Sequence, residues 1–279
     1  MSAPGTLYIV ATPIGNLEDM TFRAVRVLKE AAVIACEDTR HTRKLTEHFS
    51  IATPLVSYHE HNERDRTAEL LTRLEAGETV ALVSDAGTPL ISDPGFRLVE
   101  QAAARGIAIV PVPGASALLA ALSAAGLATD AFRFIGFPSA KASERRRQIE
   151  EWKLSRDTTI LYEAPHRILA TLEEMSEVLG PERRVVLARE LTKLHEEFLR
   201  GTVAEVRETL SRRPAVKGEI TLLVAPAPEE PPPSGPQDLP AEVAALVAAG
   251  VPRMDAIKQV AHRHGLGKRD VYRLIESGN

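Results

Sequence analysis

The first 116 residues alternate short apolar runs with stretches of helical spacing, and no other feature of the chain restricts its fold as much. Helices separate five strand candidates, which are residues 7–12, 33–36, 54–60, 79–85 and 107–113. The run TVALVSD at 79–85 is apolar up to its final Asp, as expected of a strand covered on both faces. Strands and helices in alternation form a mostly parallel sheet with right-handed crossovers. The sequence therefore predicts an α/β first domain, residues 1–113.

Capping residues predict where several of these helices begin and end. Thr21 is a candidate N-cap, and a helix is predicted over 68–75 with Gly77 just past its end. Asp93 and Pro94 form a favourable N-cap and first-turn pair, so we expect a helix to begin there. Ser116 is predicted to open an Ala- and Leu-rich helix.

The second half of the chain has a different pattern, which predicts a second α/β domain over residues 114–225. Its strand candidates are residues 132–137, 158–164, 184–190, 196–203 and 219–225. The strands around Arg189 and Phe198 are so close in sequence that antiparallel pairing is expected, which makes this sheet mixed.

A proline-rich segment and a short helical region follow. Residues 226–239 contain too much proline for a helix or a sheet and predict a stiff linker. Residues 240–279 predict three short helices with tight turns, similar to a helix-turn-helix. This region has six Lys and Arg against four Asp and Glu, so its formal charge is +2, whereas the whole chain carries −4. Residues 240–279 are therefore the more cationic part of the chain.

Composition restricts the cellular setting. Cys36 is the single cysteine, so an intrachain disulfide is impossible and a reducing compartment fits. The first residues, MSAPGTLYIVAT, lack the basic segment of a signal peptide. The apolar stretch beginning at Ala117 is too short to cross a bilayer. We expect a cytoplasmic protein.

Every strand of the first half ends in polar or glycine-rich sequence. These ends are residues 12–16, 37–40, 59–62, 84–89 and 113–116. Open parallel sheets bind ligands beyond the carboxyl ends of their strands. Gly87 and Gly114 would allow backbone to approach a ligand, and the helix opened by Ser116 could hold an anionic group. Ser116 and Asp38 can also be read as simple N-caps, and the sequence leaves both interpretations open.

The segment HEHN at 59–62 raises the question of a metal. His59 and His61 are two residues apart, so on a strand both would face one side, with Glu60 opposite. No third ligand has a familiar spacing, so we expect hydrogen-bonding roles and no metal. Glu163 follows another predicted strand and could act as a base or orient a ligand, while His166 and Arg167 could simply begin a solvated helix.

Seven stretches together resemble the tetrapyrrole-methylase-like methyltransferases over residues 7–225. They are LYIVATPIGNLEDMT, ACEDTRHTRKL, SYHEHNE, VALVSDAGTPLISDPG, VPVPGASALLAALSAAGL, ILYEAPHRI and GEITLLV. The porphyrin-methylating members typically have GDP where this chain has SDAGTP. This difference makes the chain more similar to the branch that methylates a cytidine ribose 2′-hydroxyl in 16S rRNA.

The resemblance implies S-adenosylmethionine bound between the two α/β domains, and a homodimer. Transferred by motif, the implied cofactor-binding residues are Pro13, Asp85, Gly87, Thr88, Ser116, Ala117, Tyr162, Glu163 and Leu191. The implied partner is 16S rRNA or the small ribosomal subunit.

A ribose hydroxyl is a poor nucleophile at neutral pH, so a nearby base would help the reaction. The candidate catalytic residues are Glu37, Asp38, Arg40, His59 and His61, with Glu163 as a further candidate base. The candidate RNA-binding residues are Arg43, Lys44, Lys268, Arg269 and Arg273. Two alternatives are open at this point: a tetrapyrrole C-methyltransferase, and a regulator that senses a ligand and reads a duplex through a helix-turn-helix.

Overall fold

The computed structural model describes residues 4–228 and 239–277. Most of the predicted linker, residues 229–238, lies outside this range. The described residues form two compact units that divide after Ala227, and each unit is described by itself.

The first sheet of the larger unit is parallel throughout, as predicted. Its strands are β1 (Thr6–Val10), β2 (Val33–Cys36), β3 (Leu55–Ser57), β4 (Val80–Leu82) and β5 (Ala108–Val112). They lie in the order β3-β2-β4-β1-β5. The chain inserts β4 between β1 and β2, so the loops that follow β1, β2 and β4 open at one edge of the sheet.

Helices bury both faces of this sheet. They are α1 (Phe22–Glu30), α2 (Thr39–His48), α3 (Glu63–Glu75) and α4 (Phe96–Ala104). Val27 and Leu28 of α1 pack on one face, whereas Leu70 of α3 and Leu98 of α4 pack on the other. The Thr21 hydroxyl accepts a hydrogen bond from the Ala24 N–H at 3.1 Å, which confirms the predicted cap of α1.

Two local predictions are wrong. β3 ends at Ser57, so His59 and His61 lie in a turn and not on a strand. The side-chain oxygen of Asn62 accepts a hydrogen bond from the His59 N–H at 2.9 Å and closes this turn, and α3 begins at the next residue. α4 begins at Phe96 with Gly95 as its N-cap, so Asp93 belongs to the preceding loop and does not cap the helix.

The second sheet is mixed, as predicted. Its strands are β6 (Phe132–Phe134), β7 (Thr158–Glu163), β8 (Arg184–Arg189), β9 (Glu197–Thr202) and β10 (Ile220–Val224), in the order β6-β7-β10-β8-β9. Only β6 and β7 are parallel in this sheet. The expected antiparallel pair is confirmed, because Arg189 of β8 lies opposite Glu197 of β9.

Four helices cover the second sheet. Helix α5 (Ala117–Ala125) packs on one face, and α6 (Ala142–Trp152), α7 (Ile168–Leu179) and α8 (Val203–Ser211) lie at the other. Ala121 and Leu122 of α5 contact Ile160 and Leu223 of the second sheet. This packing supports our proposal that the second domain begins near residue 114.

The smaller unit contains three helices in its described part, as predicted. They are α9 (Leu239–Ala248), α10 (Arg253–Arg263) and α11 (Lys268–Ser277). Val243, Ile257, Val260 and Val271 form a core of its own. Across residues 4–228 and 239–277, no helix combines the length and the apolar character that a membrane crossing requires.

Candidate functional site

The loops after β1 and β4 are joined to each other at the carboxyl edge of the first sheet. Thr12 and Gly87 exchange backbone hydrogen bonds of 2.9 and 3.0 Å, and the Thr12 hydroxyl donates to the Ser84 carbonyl at 3.2 Å. Gly87 has a φ of 78°, and a Cβ there would lie 3.3 Å from Cγ2 of Ile14. Glycine thus lets the two loops pack closely, because other residues rarely adopt this conformation.

A cavity of about 410 Å³ opens between these loops and the second sheet. This volume lies within the range of small-molecule sites, about 300–1,000 Å³. Its lining residues are Ile14, Ala86, Gly87, Thr88, Ile91, Ser92, Asp93, Ser116, Ala117, Phe137, Tyr162, Glu163, Ala164, Pro165, Leu191, Gly218, Glu219, Ile220 and Thr221.

Most of the predicted cofactor-binding residues lie at this cavity. Those that line it are Gly87, Thr88, Ser116, Ala117, Tyr162, Glu163 and Leu191. Pro13 and Asp85 are not among the lining residues, although their neighbours Ile14 and Ala86 are. Their assignment to the cofactor remains a prediction.

The N-terminus of α5 faces the cavity with its capping position open. Ser116 is the N-cap residue, but its hydroxyl makes no capping hydrogen bond. Burial raises the pKa of Tyr162, and the neighbouring Leu118 N–H opposes this rise. Thr88 donates to the Ala115 carbonyl at 3.3 Å, which ties the β4 loop to the start of α5. The remaining N–H groups and the Ser116 hydroxyl could bind an anionic group.

Hydrogen bonds from neighbouring residues fix the side chain of Glu163 in place. Its carboxylate accepts hydrogen bonds from the Arg167 guanidinium at 2.6 and 2.8 Å, the Ala164 N–H at 2.8 Å and the Thr171 hydroxyl at 2.6 Å. Its side chain is fully buried. These donors occupy both oxygens of the carboxylate. These contacts support a structural role at the start of α7.

The candidate catalytic residues lie together beyond the ends of β2, β3 and β4. The Asp38 N–H donates to the Asp85 carboxylate at 3.1 Å. The Asp38 carboxylate caps α2 through the Arg40 N–H at 2.8 Å and also accepts from the Arg40 guanidinium at 2.7 Å. These bonds hold the pKa of Asp38 well below its usual range, so Asp38 is a weak base and its N-cap interpretation is supported.

Glu37 and the two histidines complete this group. Burial raises the pKa of Glu37, and the carboxylates of Asp85 and Glu60 raise it further. The rings of His59 and His61 are 6.0 Å apart. Nδ1 of His59 is buried and has no hydrogen-bond partner in the described part of the chain. Within residues 4–228 and 239–277, no three His, Cys, Asp or Glu side chains are placed to hold a metal ion.

Sequence reasoning missed Asp93 as a site residue. Asp93 lines the cavity, and burial raises its pKa to about 6; the nearby Glu37 carboxylate adds to the shift, while the Ser84 hydroxyl opposes it. The Asp93-Pro94 pair predicted a helix cap. Because α4 begins three residues after Asp93, at Phe96, the Asp93 carboxylate does not cap this helix. The signal that could have found it is its place in the loop after a predicted strand.

The start of β10 was also missed. Gly218, Glu219, Ile220 and Thr221 line the cavity because β10 runs antiparallel to β7, which places Ile220 opposite Glu163. The stretch GEITLLV was recognised as a strand and as part of the resemblance, but its place at the cavity depends on which strands pair.

The candidate RNA-binding residues are on helix surfaces. Arg43 and Lys44 are exposed on α2, whose buried side consists of Thr42 and Thr46. Lys268, Arg269 and Arg273 are exposed on α11 in the smaller unit.

The cavity has the parts needed for a ligand that carries a carboxylate and an aromatic base. Ile14, Ile91 and Phe137 supply apolar surface, and the N-terminus of α5 can receive a carboxylate.

Comparison with known proteins agrees with this chemistry. The family model for tetrapyrrole (corrin/porphyrin) methylases matches residues 6–207. Among solved structures, a uroporphyrin-III C-methyltransferase from Thermus thermophilus, in complex with S-adenosylhomocysteine, superposes with a TM-score of 0.56. It is 22% identical, covering 78% of this chain and 97% of that one, so this likeness concerns the fold.

Two relatives are much more similar in sequence. A ribosomal RNA small subunit methyltransferase I from Halalkalibacterium halodurans is 52% identical and covers 97% of this chain and 94% of its own length. A protein of the same name from Synechocystis sp. is 50% identical, with 97% of both chains covered. This chain therefore belongs to the tetrapyrrole methylase family and, within it, to the ribosomal RNA small subunit methyltransferase I group.

Proposed function

We propose that this protein methylates the ribose 2′-hydroxyl of a cytidine in the 16S rRNA of the small ribosomal subunit. The observation that carries the proposal is the 50–52% identity, over 97% of this chain, to relatives named for methylation of small-subunit ribosomal RNA. The protein is a methyltransferase, and its methyl donor is S-adenosylmethionine.

The residues of the cavity fit this donor. When bound, the donor supplies a methyl group on a positively charged sulfur with a good leaving group. The open N-terminus of α5 at Ser116 would receive its carboxylate, and the apolar walls at Ile14 and Phe137 would hold its adenine. The positively charged sulfur already makes the methyl group reactive. The protein's contribution is therefore mainly to align the acceptor oxygen and exclude water.

The acceptor would enter from the side of the acidic strand ends. Glu37, His59 and His61 lie there, beside Asp85. The basic face of α2, with Arg43 and Lys44, would bind the phosphates of the RNA. The basic residues Lys268, Arg269 and Arg273 of the smaller unit would add phosphate contacts. We also propose that the enzyme acts in the cytoplasm as a homodimer, as the family resemblance implies.

Tetrapyrrole methylation is the second candidate, because solved enzymes of that activity share the fold. Their identity of 22–23% is less than half that of the ribosomal RNA relatives. A ligand-sensing regulator would bind a duplex without consuming S-adenosylmethionine, so product formation separates it from an enzyme.

The test is methylation in vitro. Small subunits and free 16S rRNA from a strain lacking the endogenous enzyme would be incubated with the protein and labelled S-adenosylmethionine. We expect label in one ribose-methylated cytidine, located by nuclease digestion and mass spectrometry. Uroporphyrinogen III serves as the competing substrate. Transfer to the tetrapyrrole alone, or the absence of S-adenosylhomocysteine with every substrate, would refute the proposal.

A further inference from the structure

Three carboxylates line the cavity, and two of them are neutralised. Glu163 is bound by Arg167, and the Glu219 carboxylate pairs with the Lys193 ammonium at 3.0 Å. Asp93 has no ion pair with any of the described residues, 4–228 and 239–277. Asp93 is thus the one cavity carboxylate whose charge the described protein does not compensate.

The backbone around Asp93 is held in an unusual conformation. Leu90 and Ser92 have φ values of 71° and 69°, a region that side chains disfavour, and Gly95 follows with a φ of 136°. A Cβ at Gly95 would lie 2.8 Å from Cδ2 of Leu82, so the loop is pressed against β4. Such strain persists where surrounding structure imposes it and is concentrated at functional sites. It holds the Asp93 carboxylate at the cavity, because otherwise Asp93 would be free to cap α4.

Asp93 connects the two halves of the site. On one side it is close enough to the carboxylates of Glu37 and Asp85, beyond β2 and β4, to interact electrostatically with both. On the other side its charge acts on the Tyr162 hydroxyl, which lies on β7 and lines the cavity. The Ser84 hydroxyl is its neutral polar neighbour. A group at this junction can reach both a donor in the cavity and an acceptor at the strand ends.

We propose that Asp93 is the general base of the reaction and accepts the proton of the acceptor hydroxyl. This inference rests on the proposed function. The hydroxyl oxygen forms a bond to the methyl carbon while the bond from that carbon to sulfur breaks, and the electron pair of the broken bond stays on the neutral sulfur. The hydroxyl proton passes to a carboxylate oxygen of Asp93 and is later released to solvent.

The surroundings of Asp93 suit this role better than those of Asp38 and Glu163. Desolvation and the neighbouring acids raise its pKa to about 6, so near neutral pH it is ionised yet more basic than an ordinary Asp. Arg40 holds the pKa of Asp38 well below its usual range, and the Glu163 carboxylate is already bound by Arg167 and Thr171. The carboxylates of Glu37 and Asp85 disfavour a third negative charge nearby, which favours proton uptake by Asp93 as the reaction proceeds.

The test compares Asp93→Asn and Asp93→Glu with Glu100→Gln, an exposed carboxylate on α4 that serves as the control. We expect Asp93→Asn to lower kcat by roughly 10² to 10⁴, the usual contribution of a general base. Its S-adenosylmethionine affinity, measured by calorimetry, should stay within about threefold of wild type, since the loss of a general base affects kcat rather than donor binding. The acidic limb of the kcat/KM profile near pH 6 should disappear in Asp93→Asn and remain, with reduced activity, in Asp93→Glu. Glu100→Gln should match wild type.

A second readout does not depend on activity. Carbon-13 NMR of labelled aspartate carboxyls, with Asp93→Asn to assign the signal, should show one carboxyl that titrates near pH 6 in the free protein. A titration near pH 4, full turnover by Asp93→Asn, or a loss of donor affinity as large as the loss of kcat would each overturn the proposal. If wild type binds S-adenosylmethionine but methylates no RNA, the proposed function fails and the base assignment falls with it.

Discussion

The carboxylates of this protein show how surroundings decide what a residue can do. Glu197 accepts from the guanidinium groups of Arg213 and Arg189, and these bonds lower its pKa to about 2. Asp93 has no such partner among the residues that the structure describes, and burial raises its pKa to about 6. The same functional group is a fixed anion on β9 and a proton acceptor at the cavity. Two different causes act: hydrogen bonds from arginine lower the pKa of Glu197, whereas burial raises the pKa of Asp93.

Asp93→Asn should stabilise the protein at alkaline pH. A carboxyl group with a pKa raised by folding contributes stability that is fully present below its unfolded value of 3.8 and is lost as pH rises through about 6. Asparagine has no charge to desolvate, so the variant avoids this loss. At pH 8 we expect its free energy of unfolding to exceed that of wild type by about 2 kcal/mol.

Urea denaturation at several pH values measures this difference, with Glu100→Gln as the matched control. Near pH 4 the variant and wild type should be almost equally stable, since Asp93 is then largely protonated in the folded protein. A difference that stays constant from pH 4 to pH 8 would mean that the charge of Asp93 is not its cause.

At the scale of elements, the site is a set of loops and helix ends that neighbouring strands bring together. Helix α2 begins at the Asp38 cap beside the acidic strand ends and presents Arg43 and Lys44 to solvent. A helix with one end at the acceptor site and an exposed basic face is well placed to bind the backbone of a nucleic acid. Separate sites for RNA and donor can be tested, because the proposed donor site is formed by other elements.

Arg43→Glu with Lys44→Glu should weaken RNA binding and leave S-adenosylmethionine affinity unchanged. If each side chain contacts one phosphate, the double variant should reduce the log–log salt slope of RNA binding by about two. The measurement is RNA affinity across a salt series, and Arg147→Glu with Lys153→Glu, at α6 and its C-cap, is a matched double charge reversal on another helix. Equal effects of both changes would indicate a general electrostatic influence and remove α2 from the RNA contact.

At the scale of the whole molecule, the protein has a catalytic unit and a small helical unit with separate cores. The larger unit uses the chain up to Ala227, since the Ala225 N–H donates to the Arg184 carbonyl and the Ala227 N–H donates to the Ser155 carbonyl. The smaller unit is held together by Val243, Ile257 and Val260 among others. Each unit buries an apolar core of its own, so we expect the larger one to fold alone.

Ending the chain after Pro228 should separate RNA affinity from donor affinity. The truncated protein should bind S-adenosylmethionine as wild type does, because the cavity lies entirely within the larger unit. Its RNA affinity should fall, and the salt slope should become shallower by roughly 0.7 to 0.9 for each phosphate that the shortened chain no longer neutralises. Binding curves of both proteins in a salt series test this. Unchanged affinity and slope would instead favour a docking or dimerisation role for the smaller unit.

Several features followed directly from local sequence. Alternating strands and helices predicted the parallel sheet, because apolar runs such as VIAC are buried on both faces only in such a layer. Thr21 marked the start of α1 through its own hydroxyl. Gly87 and Thr88 were placed at the cavity because ligands gather at the carboxyl ends of parallel strands. In each case the physical cause lies within a few residues of the chain.

The sequence by itself determined the two sheets, the three C-terminal helices and the edge at which a site forms. Only the tertiary structure decided which polar groups meet there. The sequence predicted Asp93 as a helix cap, but in the structure the loop packed against β4 continues to Gly95 and α4 begins at Phe96. Ile220 lies at the cavity only because β10 pairs with β7. Local propensity depends on neighbours along the chain, whereas burial, charge partners and strand pairing depend on residues that folding alone brings together.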